Sequence, residues 1–141
     1  MRDERYPIRV QAMSPDHLDD AIRLFRGIEA ELAPDDILAP ERGETGLRIS
    51  LASYDSAQSN ACLPLLAWVD GQVAGYALAV RVPKPDARKG FFFVDDLYVL
   101  RPYQRRGVAR RLLKSIHGLA TREGYSGVRL LVRPSNLAGL G

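Results

Sequence analysis

The sequence predicts a mixed α/β (α+β) fold in which helices pack on a sheet of antiparallel and parallel strands. Asp70-Gly71 separates two apolar runs and is a strong hairpin signal, so the strands around it should be antiparallel. Residues 91–132 follow the pattern strand, helix, strand, which predicts a right-handed crossover between two parallel strands. With 141 residues the chain is long enough for one core, so a single domain, 1–141, is expected.

The first half of the chain is expected to hold a strand, a helix and the hairpin. Residues 7–12 alternate apolar and polar side chains, as a half-buried strand does. Ser14-Pro15-Asp16 is typical of a helix start, with a capping residue followed by proline and an acid. Apolar residues then recur at helical spacing, which predicts an amphipathic helix over 15–32. The remaining elements of this half are a weaker helix near 43–54 and two hairpin strands, 63–69 and 72–82.

The second half is expected to form the crossover. A run of aromatic and β-branched residues predicts a long strand over 91–99. Apolar residues recur at helical spacing from Val108 to Leu119, and Gly124 ends the helix that they predict. Residues 127–132 are predicted to form a further buried strand, which returns beside the first.

Composition excludes several classes of protein. A single cysteine, Cys62, rules out an intramolecular disulfide and favours an intracellular protein. The N-terminus lacks the apolar run of a signal peptide, and no apolar stretch is long enough for a bilayer. A cytoplasmic protein without a membrane partner is therefore expected. His17 and His117 have no second ligand at metal spacing, so no metal site is expected either.

Charge is distributed unevenly along the chain. The formal net charge is +3, but after residue 100 nine Lys and Arg residues stand against Glu123 alone. This asymmetry suggests that one part of the fold meets a polyanion and another part a cation. A nucleic-acid-binding domain that uses the basic helix 104–122 is one alternative. Neither a recognition-helix pattern nor a set of stacking aromatics accompanies the charge, so no nucleic acid partner is expected.

The segment from Gln104 to Ala109 has the features of an anion site. It stands at a helix start, where main-chain amides lack partners and the helix dipole favours negative charge. Gly107 permits close approach to the main chain, and neighbouring arginines add positive charge. The glycine spacing of a nucleotide-triphosphate loop or a dinucleotide fingerprint is absent. Taken alone, the segment fits an arginine-rich surface helix better than a pyrophosphate site.

The longer string from Val94 to Leu113 resembles the acetyl-CoA-binding core of GNAT N-acetyltransferases. In that family a strand with an acidic pair and Leu-x-Val runs into Gln/Arg-x-x-Gly-x-Gly/Ala and a helix. The resemblance is densest over 91–136 and points to the spermidine/spermine and aminoglycoside acetyltransferase types. It implies the GNAT fold, a mixed and mainly antiparallel twisted sheet with helices on both faces. The last helix and two strands of that fold would lie beyond Gly141, so its C-terminal part is expected to be missing.

The resemblance also implies that acetyl-CoA is the cosubstrate. Main-chain groups of the strand end would pair with the pantetheine arm, the amides of the helix start would hold the pyrophosphate, and Asn136 would contact the cofactor near its acetyl end. Ala109 replaces the commoner second glycine. The implied cofactor-binding residues are Leu97, Tyr98, Val99, Gln104, Arg105, Arg106, Gly107, Val108, Ala109, Arg110 and Asn136.

Acetylation of an amine requires an unprotonated nitrogen, which calls for a base. Asp95 and Asp96 would face opposite sides of a regular strand. The resemblance implies a bulge at this place, which would aim one of them at the cleft. The resemblance matches Asp95 to a proposed base of the spermidine/spermine type and Asp96 to an aspartate of the aminoglycoside type. It favours Asp95 slightly. The alternative for each carboxylate is to fix a nearby main-chain group or arginine. The tyrosine that the family uses as acid falls beyond Gly141.

Acidic residues of the first half suggest the acceptor. In GNAT folds this region forms a wall of the acceptor site, and Glu31, Asp35 and Asp36 are the candidate residues. Their charge would attract a polyamine, an aminoglycoside or a lysine side chain, although solvated helix faces explain such residues equally well. The resemblance thus implies acetyl transfer to a primary amine of a cationic small molecule, with an Asp as base through water, and a possible homodimer. The alternative is a non-catalytic CoA-binding or regulatory module.

Overall fold

The computed structural model describes residues 7–32, 61–86 and 88–130. A short 3-10 turn precedes each helix, at Pro15–His17 and at Arg101–Tyr103. The predicted helix near 43–54 lies outside the described residues, as does the end of the last predicted strand. The elements in chain order are β1 (Ile8–Ala12), α1 (Leu18–Leu32), β2 (Cys62–Val69), β3 (Gln72–Val82), β4 (Phe91–Val99), α2 (Val108–Arg122) and β5 (Val128–Leu130).

The described strands form one five-stranded sheet in the order β1-β2-β3-β4-β5. Neighbours are antiparallel except β4 and β5, which are parallel and are joined through α2. The hairpin at Asp70-Gly71 and the parallel crossover are therefore confirmed. Both turn residues have positive φ, 50° for Asp70 and 79° for Gly71, as a tight two-residue hairpin requires.

The two helices cover opposite faces of the sheet. Leu112 and Ile116 of α2 are fully buried in one apolar cluster with Val94 and Val99 of β4. Leu24 of α1 belongs to a second cluster, on the other face, which includes Trp68. The mixed, mainly antiparallel sheet with helices on both faces is thus the observed fold, and burial of these two faces supplies its main driving force.

Trp68 is a core residue, as its place in the strand predicts, and only 2% of its surface is exposed. Its indole Nε1 donates a hydrogen bond of 2.9 Å to Asp20 Oδ2 on α1. A buried indole N–H needs such an acceptor, so Asp20 helps to set the position of α1 on the sheet. The α-helix begins at Leu18 and not at residue 15, because residues Pro15–His17 form a 3-10 turn. In this turn the His17 N–H donates a hydrogen bond of 2.9 Å to the Ser14 carbonyl.

A bidentate ion pair joins the end of β3 to the residue after α2. Arg81 Nε and Nη2 donate to the two carboxylate oxygens of Glu123 at 2.7 and 2.9 Å. Because these hydrogen bonds favour both charged forms, they lower the pKa of Glu123 and raise the pKa of Arg81. The ion pair thus links α2 to the end of β3 that lies farthest from the turn at Asp70-Gly71.

We expect Glu123→Gln to lower the free energy of unfolding at neutral pH by about 0.5–1 kcal/mol, a value reduced by the partial solvent exposure of the pair. The pKa of Glu123 is depressed in the folded state, so the contribution is present above the unfolded-state pKa. It is lost as pH falls through the folded-state pKa. Thermal melts of both proteins across this range should converge in acid. A constant difference at every pH would contradict the prediction.

Candidate active site

A bulge interrupts β4 at the acidic pair. Leu78 of β3 lies opposite Asp96, and the next residue, Ala79, lies opposite Val94, so Asp95 is an extra residue in β4. The expected bulge is therefore present. Bulges re-aim side chains and are common next to functional sites.

The bulge changes the spacing of core residues along β4. Phe92 and Val94 are buried on the α2 face, and the next residue on that face is Leu97. Asp96 alternates with Leu97 and so lies on the α1 face, which it shares with Tyr98. Both Asp95 and Asp96 are exposed. The acidic pair thus reaches solvent in the middle of a strand whose two flanks are anchored in the core.

Tyr76 of β3 holds one of the two carboxylates. Its hydroxyl donates a hydrogen bond of 2.5 Å to Asp96 Oδ2. The phenol ring packs edge-on against Phe25 of α1, with ring centroids 4.8 Å apart. Burial raises the pKa of the Tyr76 phenol well above its usual range, and the hydrogen bond to Asp96 and the charges of Asp96 and Asp95 raise it further. Tyr76 is therefore a permanent hydrogen-bond donor to the acidic pair.

Sequence reasoning missed Tyr76. The only signal in the sequence is the hairpin turn at Asp70-Gly71. Counting from this turn predicts which β2 residue lies opposite each β3 residue, but it does not predict the pairing of β3 with β4. A second bulge, at Ala74, shifts even that count, because Ala67 lies opposite Gly75 while Trp68 lies opposite Val73. The contact between Tyr76 and Asp96 depends on the register of β3 and β4, in which Tyr76 lies opposite Tyr98, and the sequence pattern carries no signal for that register.

The acidic pair carries uncompensated negative charge. Within residues 7–32, 61–86 and 88–130, the ion pairs of the structure join other residues, and no Lys or Arg nitrogen lies within 4.0 Å of either carboxylate. Two adjacent exposed carboxylates create a local negative potential. Among the described residues, no basic side chain offsets this potential.

The edge of β4 beyond the bulge offers main-chain groups to a ligand. Leu100 N–H donates to Ala74 C=O at 2.8 Å, so the alternate residue Tyr98 also turns its main chain toward β3. The main-chain N–H and C=O groups of Leu97 and Val99 are directed to the opposite edge of β4. Among the described residues β5 pairs only with residues 92–94 of β4 and does not reach Leu97 or Val99. Within residues 7–32, 61–86 and 88–130, no strand pairs with this part of the edge, and an unpaired edge is the kind of surface to which an extended ligand adds as a strand.

The predicted cofactor residues of β4 differ in their availability. Leu97 presents its main chain to the open edge. The Val99 carbonyl accepts a hydrogen bond of 2.9 Å from Gln104 Nε2, which fixes the chain between β4 and α2. Tyr98 faces elsewhere, because its main chain pairs with Tyr76 and its hydroxyl donates to Glu31. Among the described residues, the Leu97 main chain and the Val99 N–H are thus directed away from β3, whereas the Tyr98 main chain is directed toward it, and the cofactor contacts of all three residues stay predictions.

The segment that leads into α2 forms a main-chain cradle. Arg105 and Gly107 both have positive φ, 63° and 85°, and this turns successive amides toward one side. The first helical hydrogen bond in this segment runs from Arg111 N–H to Gly107 C=O at 2.9 Å. The amides of residues 108–110 therefore have no intrahelical acceptor. They point out of the helix start, where the dipole favours an anion.

The side chains around the cradle are of two kinds, buried apolar residues and exposed arginines. Val108 and Ala109 are buried and hold the helix start on the sheet. Arg105, Arg106 and Arg110 are exposed. No atom of the described residues outside its chain neighbours lies within 4 Å of the position that a Cβ of Gly107 would occupy. The sequence-predicted residues from Gln104 to Arg110 thus lie together at the start of α2, next to the end of β4, and their role in binding an anion stays a prediction.

Glu31, a predicted acceptor residue, has hydrogen-bond partners within the protein. Its carboxylate accepts hydrogen bonds from Tyr98 Oη at 2.9 Å and from Arg101 N–H at 3.0 and 3.1 Å. Arg101 Nη2 in turn donates to the Glu31 carbonyl at 3.2 Å. Burial and the hydrogen bond to Glu31 raise the pKa of Tyr98 to about 12. These contacts fix the end of α1 to the end of β4.

We expect Glu31→Ala to lower the free energy of unfolding by about 1–3 kcal/mol, because Tyr98 and the Arg101 amide lose a charged acceptor. Chemical denaturation measures the change, and Glu31→Gln, which keeps one acceptor oxygen, should lose less. The role of Glu31 at the acceptor site stays a prediction, and the same variants test it. A rise in the KM of the amine in Glu31→Gln at unchanged stability would favour acceptor binding over anchoring.

Three predicted site residues, Asp35, Asp36 and Asn136, lie outside the described residues. Within the part of the chain that is described, no three His, Cys, Asp or Glu side chains are grouped as metal ligands. Neither α1 nor α2 is both long and apolar enough to cross a membrane.

A family model described as the acetyltransferase (GNAT) family matches residues 27–141. No curated protein sequence matches the chain. The matched residues include the bulge, the open edge of β4 and the cradle.

Solved structures of acetyltransferases share the fold. An aminoglycoside acetyltransferase from an uncultured soil metagenomic sample, solved with sisomicin, superposes with a TM-score of 0.70 at 17% identity, covering 94% of this chain and 82% of that one. The aminoglycoside N-acetyltransferase AAC(6')-Iy, solved with a CoA-containing bisubstrate analogue, gives a TM-score of 0.64 at 20% identity, with 92% and 82% covered. A ribosomal-protein-alanine N-acetyltransferase from Brucella melitensis biovar Abortus gives 0.68 at 19% identity, with 94% and 85% covered.

Proposed function

The chain belongs to the acetyltransferase (GNAT) family, and from this premise we propose that it acetylates a primary amine of a cationic small molecule, with Asp96 as the base. As a member of this family it is an acetyl-CoA-dependent N-acetyltransferase. The observation that carries the proposal is the bulge at Asp95, which sets two uncompensated carboxylates beside the open edge of β4. The acceptor and the roles of individual residues are the proposed part.

The described residues fit acetyl-CoA. The amides of residues 108–110 and the exposed Arg105 and Arg110 suit the pyrophosphate, because each supplies positive charge or a donor at the start of α2. The main-chain groups of Leu97 and Val99 suit the amides of the pantetheine arm. When bound, acetyl-CoA supplies the thioester whose acetyl group passes to the amine, so that a C–N bond replaces the C–S bond and coenzyme A leaves as the thiol. The cradle and the edge thus lead the cofactor toward the acidic pair.

Asp96 is suited to receive the proton that the amine loses. A primary amine is mostly protonated at neutral pH and must give up a proton before it attacks a carbonyl carbon. Asp96 Oδ2 accepts the Tyr76 hydroxyl, which leaves Oδ1 to take that proton directly or through a water molecule. Asp95, slightly favoured by the sequence resemblance, has no hydrogen bond to a described residue that fixes its orientation. We therefore assign it the attraction of the cation.

The proposed acceptor follows from charge. Both carboxylates lack a described basic partner, so a ligand that brings one or more ammonium groups gains electrostatic energy there and a neutral amine gains less. One structural neighbour was solved with sisomicin, which supports a comparison of this site with aminoglycoside-binding proteins. A homodimer and a cytoplasmic location stay predictions.

Release of free thiol from acetyl-CoA tests the proposal. The panel should contain polyamines, aminoglycosides, a lysine peptide and neutral hydroxylated amines of similar size. We expect turnover with at least one polycationic amine, and kcat/KM should fall as ionic strength rises because screening weakens the attraction. Calorimetry that detects acetyl-CoA binding while no amine releases thiol would instead indicate a non-catalytic CoA-binding module.

A further inference from the structure

The hydroxyl of Tyr76 neither gives nor takes a proton in the proposed acetyl transfer, yet it donates a hydrogen bond to the proposed base. We propose that Tyr76 is the positioning residue for Asp96, holding Oδ2 so that Oδ1 keeps one direction toward the incoming amine. This inference rests on the proposed function only in taking Asp96 as the base. It assigns to a residue of β3 an effect on a reaction that takes place at β4.

The geometry of the pair supports a positioning role. Tyr76 Oη and Asp96 Oδ2 are 2.5 Å apart, at the short end for a hydrogen bond between a hydroxyl and a carboxylate. Asp96 is an exposed residue directly beside a bulge, so its side chain needs an external contact to keep one rotamer. Without the hydroxyl, the carboxylate would exchange between orientations and spend less time in the productive one.

Tyr76 is itself well anchored. Its ring packs edge-on against Phe25 of α1, and its backbone lies opposite Tyr98 in the register of β3 and β4. Ring packing on α1 and pairing on β4 fix the phenol at both ends, so the hydroxyl has little freedom of its own. Burial and the contact with Asp96 raise the pKa of the phenol, so at neutral pH the proton stays on Tyr76 and the hydroxyl donates to Asp96.

The decisive experiment is a double-mutant cycle on kcat at saturating concentrations of both substrates, with Tyr76→Phe, Asp96→Asn and the double variant. We expect Tyr76→Phe to lower kcat about ten-fold or more, since hydrogen bonds to charged groups are the strong ones. The KM for acetyl-CoA and the melting temperature should stay close to the parent values. In the Asp96→Asn background the second substitution should have no further effect.

Tyr125→Phe is the matched control. Its ring also packs edge-on against a phenylalanine, Phe92, with centroids 4.9 Å apart, and it lies away from the acidic pair. Loss of this hydroxyl should leave kcat within about two-fold of the parent value, because the ring contact is kept and the hydroxyl is not near the acidic pair. A ten-fold loss in both variants would show that loosening of an aromatic pair, and not the contact with Asp96, lowers the rate, and would overturn the inference.

A spectroscopic measurement separates failure of the inference from failure of the proposed function. The Cζ resonance of isotope-labelled Tyr76, assigned by its loss in Tyr76→Phe, should move in Asp96→Asn and stay in place in Glu31→Gln. If it moves while Asp96→Asn keeps full kcat, the contact is present but Asp96 is not the base, and the proposed function fails at that point. If it does not move, or if Tyr76→Phe lowers kcat equally with and without Asp96, the positioning role is refuted.

Discussion

Asp96→Asn is expected to lower kcat by about a hundred- to ten-thousand-fold, the range typical of general acid–base catalysis. The substitution keeps the shape of the side chain and an acceptor for the Tyr76 hydroxyl, so the fold and the bulge should survive. It removes the group that takes the proton from the amine. Steady-state thiol release at saturating amine and acetyl-CoA measures the loss, and thermal melts verify the fold.

Asp95→Asn is the matched control, because it removes one charge at the neighbouring residue without touching the Tyr76 contact. We expect the KM for a polycationic amine to rise several-fold while kcat changes much less, since Asp95 is assigned attraction and not proton transfer. The opposite result, a large loss of kcat in Asp95→Asn and a small one in Asp96→Asn, would return the role of base to Asp95.

Gly107→Asp is expected to raise the KM for acetyl-CoA by about ten-fold or more, because a carboxylate in the cradle would repel the pyrophosphate across a few ångströms. Gly107→Asn has nearly the same size and tolerates a positive φ, so it serves as the neutral control. In the described part of the chain, no atom beyond the chain neighbours lies within 4 Å of the Cβ position, so neither side chain should clash there. The comparison of the two variants isolates the effect of charge.

Compared with Gly107→Asn, Gly107→Asp should have equal or higher thermal stability but lower affinity for acetyl-CoA. An acidic group at a helix N-terminus is stabilising, so the Asp variant should melt no lower than the Asn variant in the absence of acetyl-CoA. Added salt should narrow the difference in KM between them. Equal KM values for the two variants at low salt would mean that the pyrophosphate does not bind at the start of α2.

Much of the fold could be predicted because its signals are local. Asp70-Gly71 fixes a hairpin by the conformations of two residues, and the apolar spacing from Val108 to Leu119 fixes one face of α2. The cradle was predictable for the same reason, since its amides and its glycine belong to one short segment. The bulge at Asp95 was expected only through the family resemblance.

The long-range contacts of the site could not be predicted. Tyr76 and Asp96 meet across two strands, each with an irregularity that shifts the register by one residue. Glu31 and Arg101 are 70 positions apart in the chain, and their pairing depends on where α1 ends over the sheet. Periodicity specifies which face a residue occupies, but not which residue of another element lies beside it.

The bulge has a further consequence for how this site is built into the sheet. Asp95 is an insertion into one strand only, and β3 has no matching extra residue. Removal of Asp95 would leave Val94 and Leu97 on the same face, with a regular alternation between them and an unchanged pairing with β3. The extra residue therefore leaves the core side chains on both sides of it on the α2 face. In this protein the packing of the sheet and the chemistry at its edge are separable, and they can vary independently of each other.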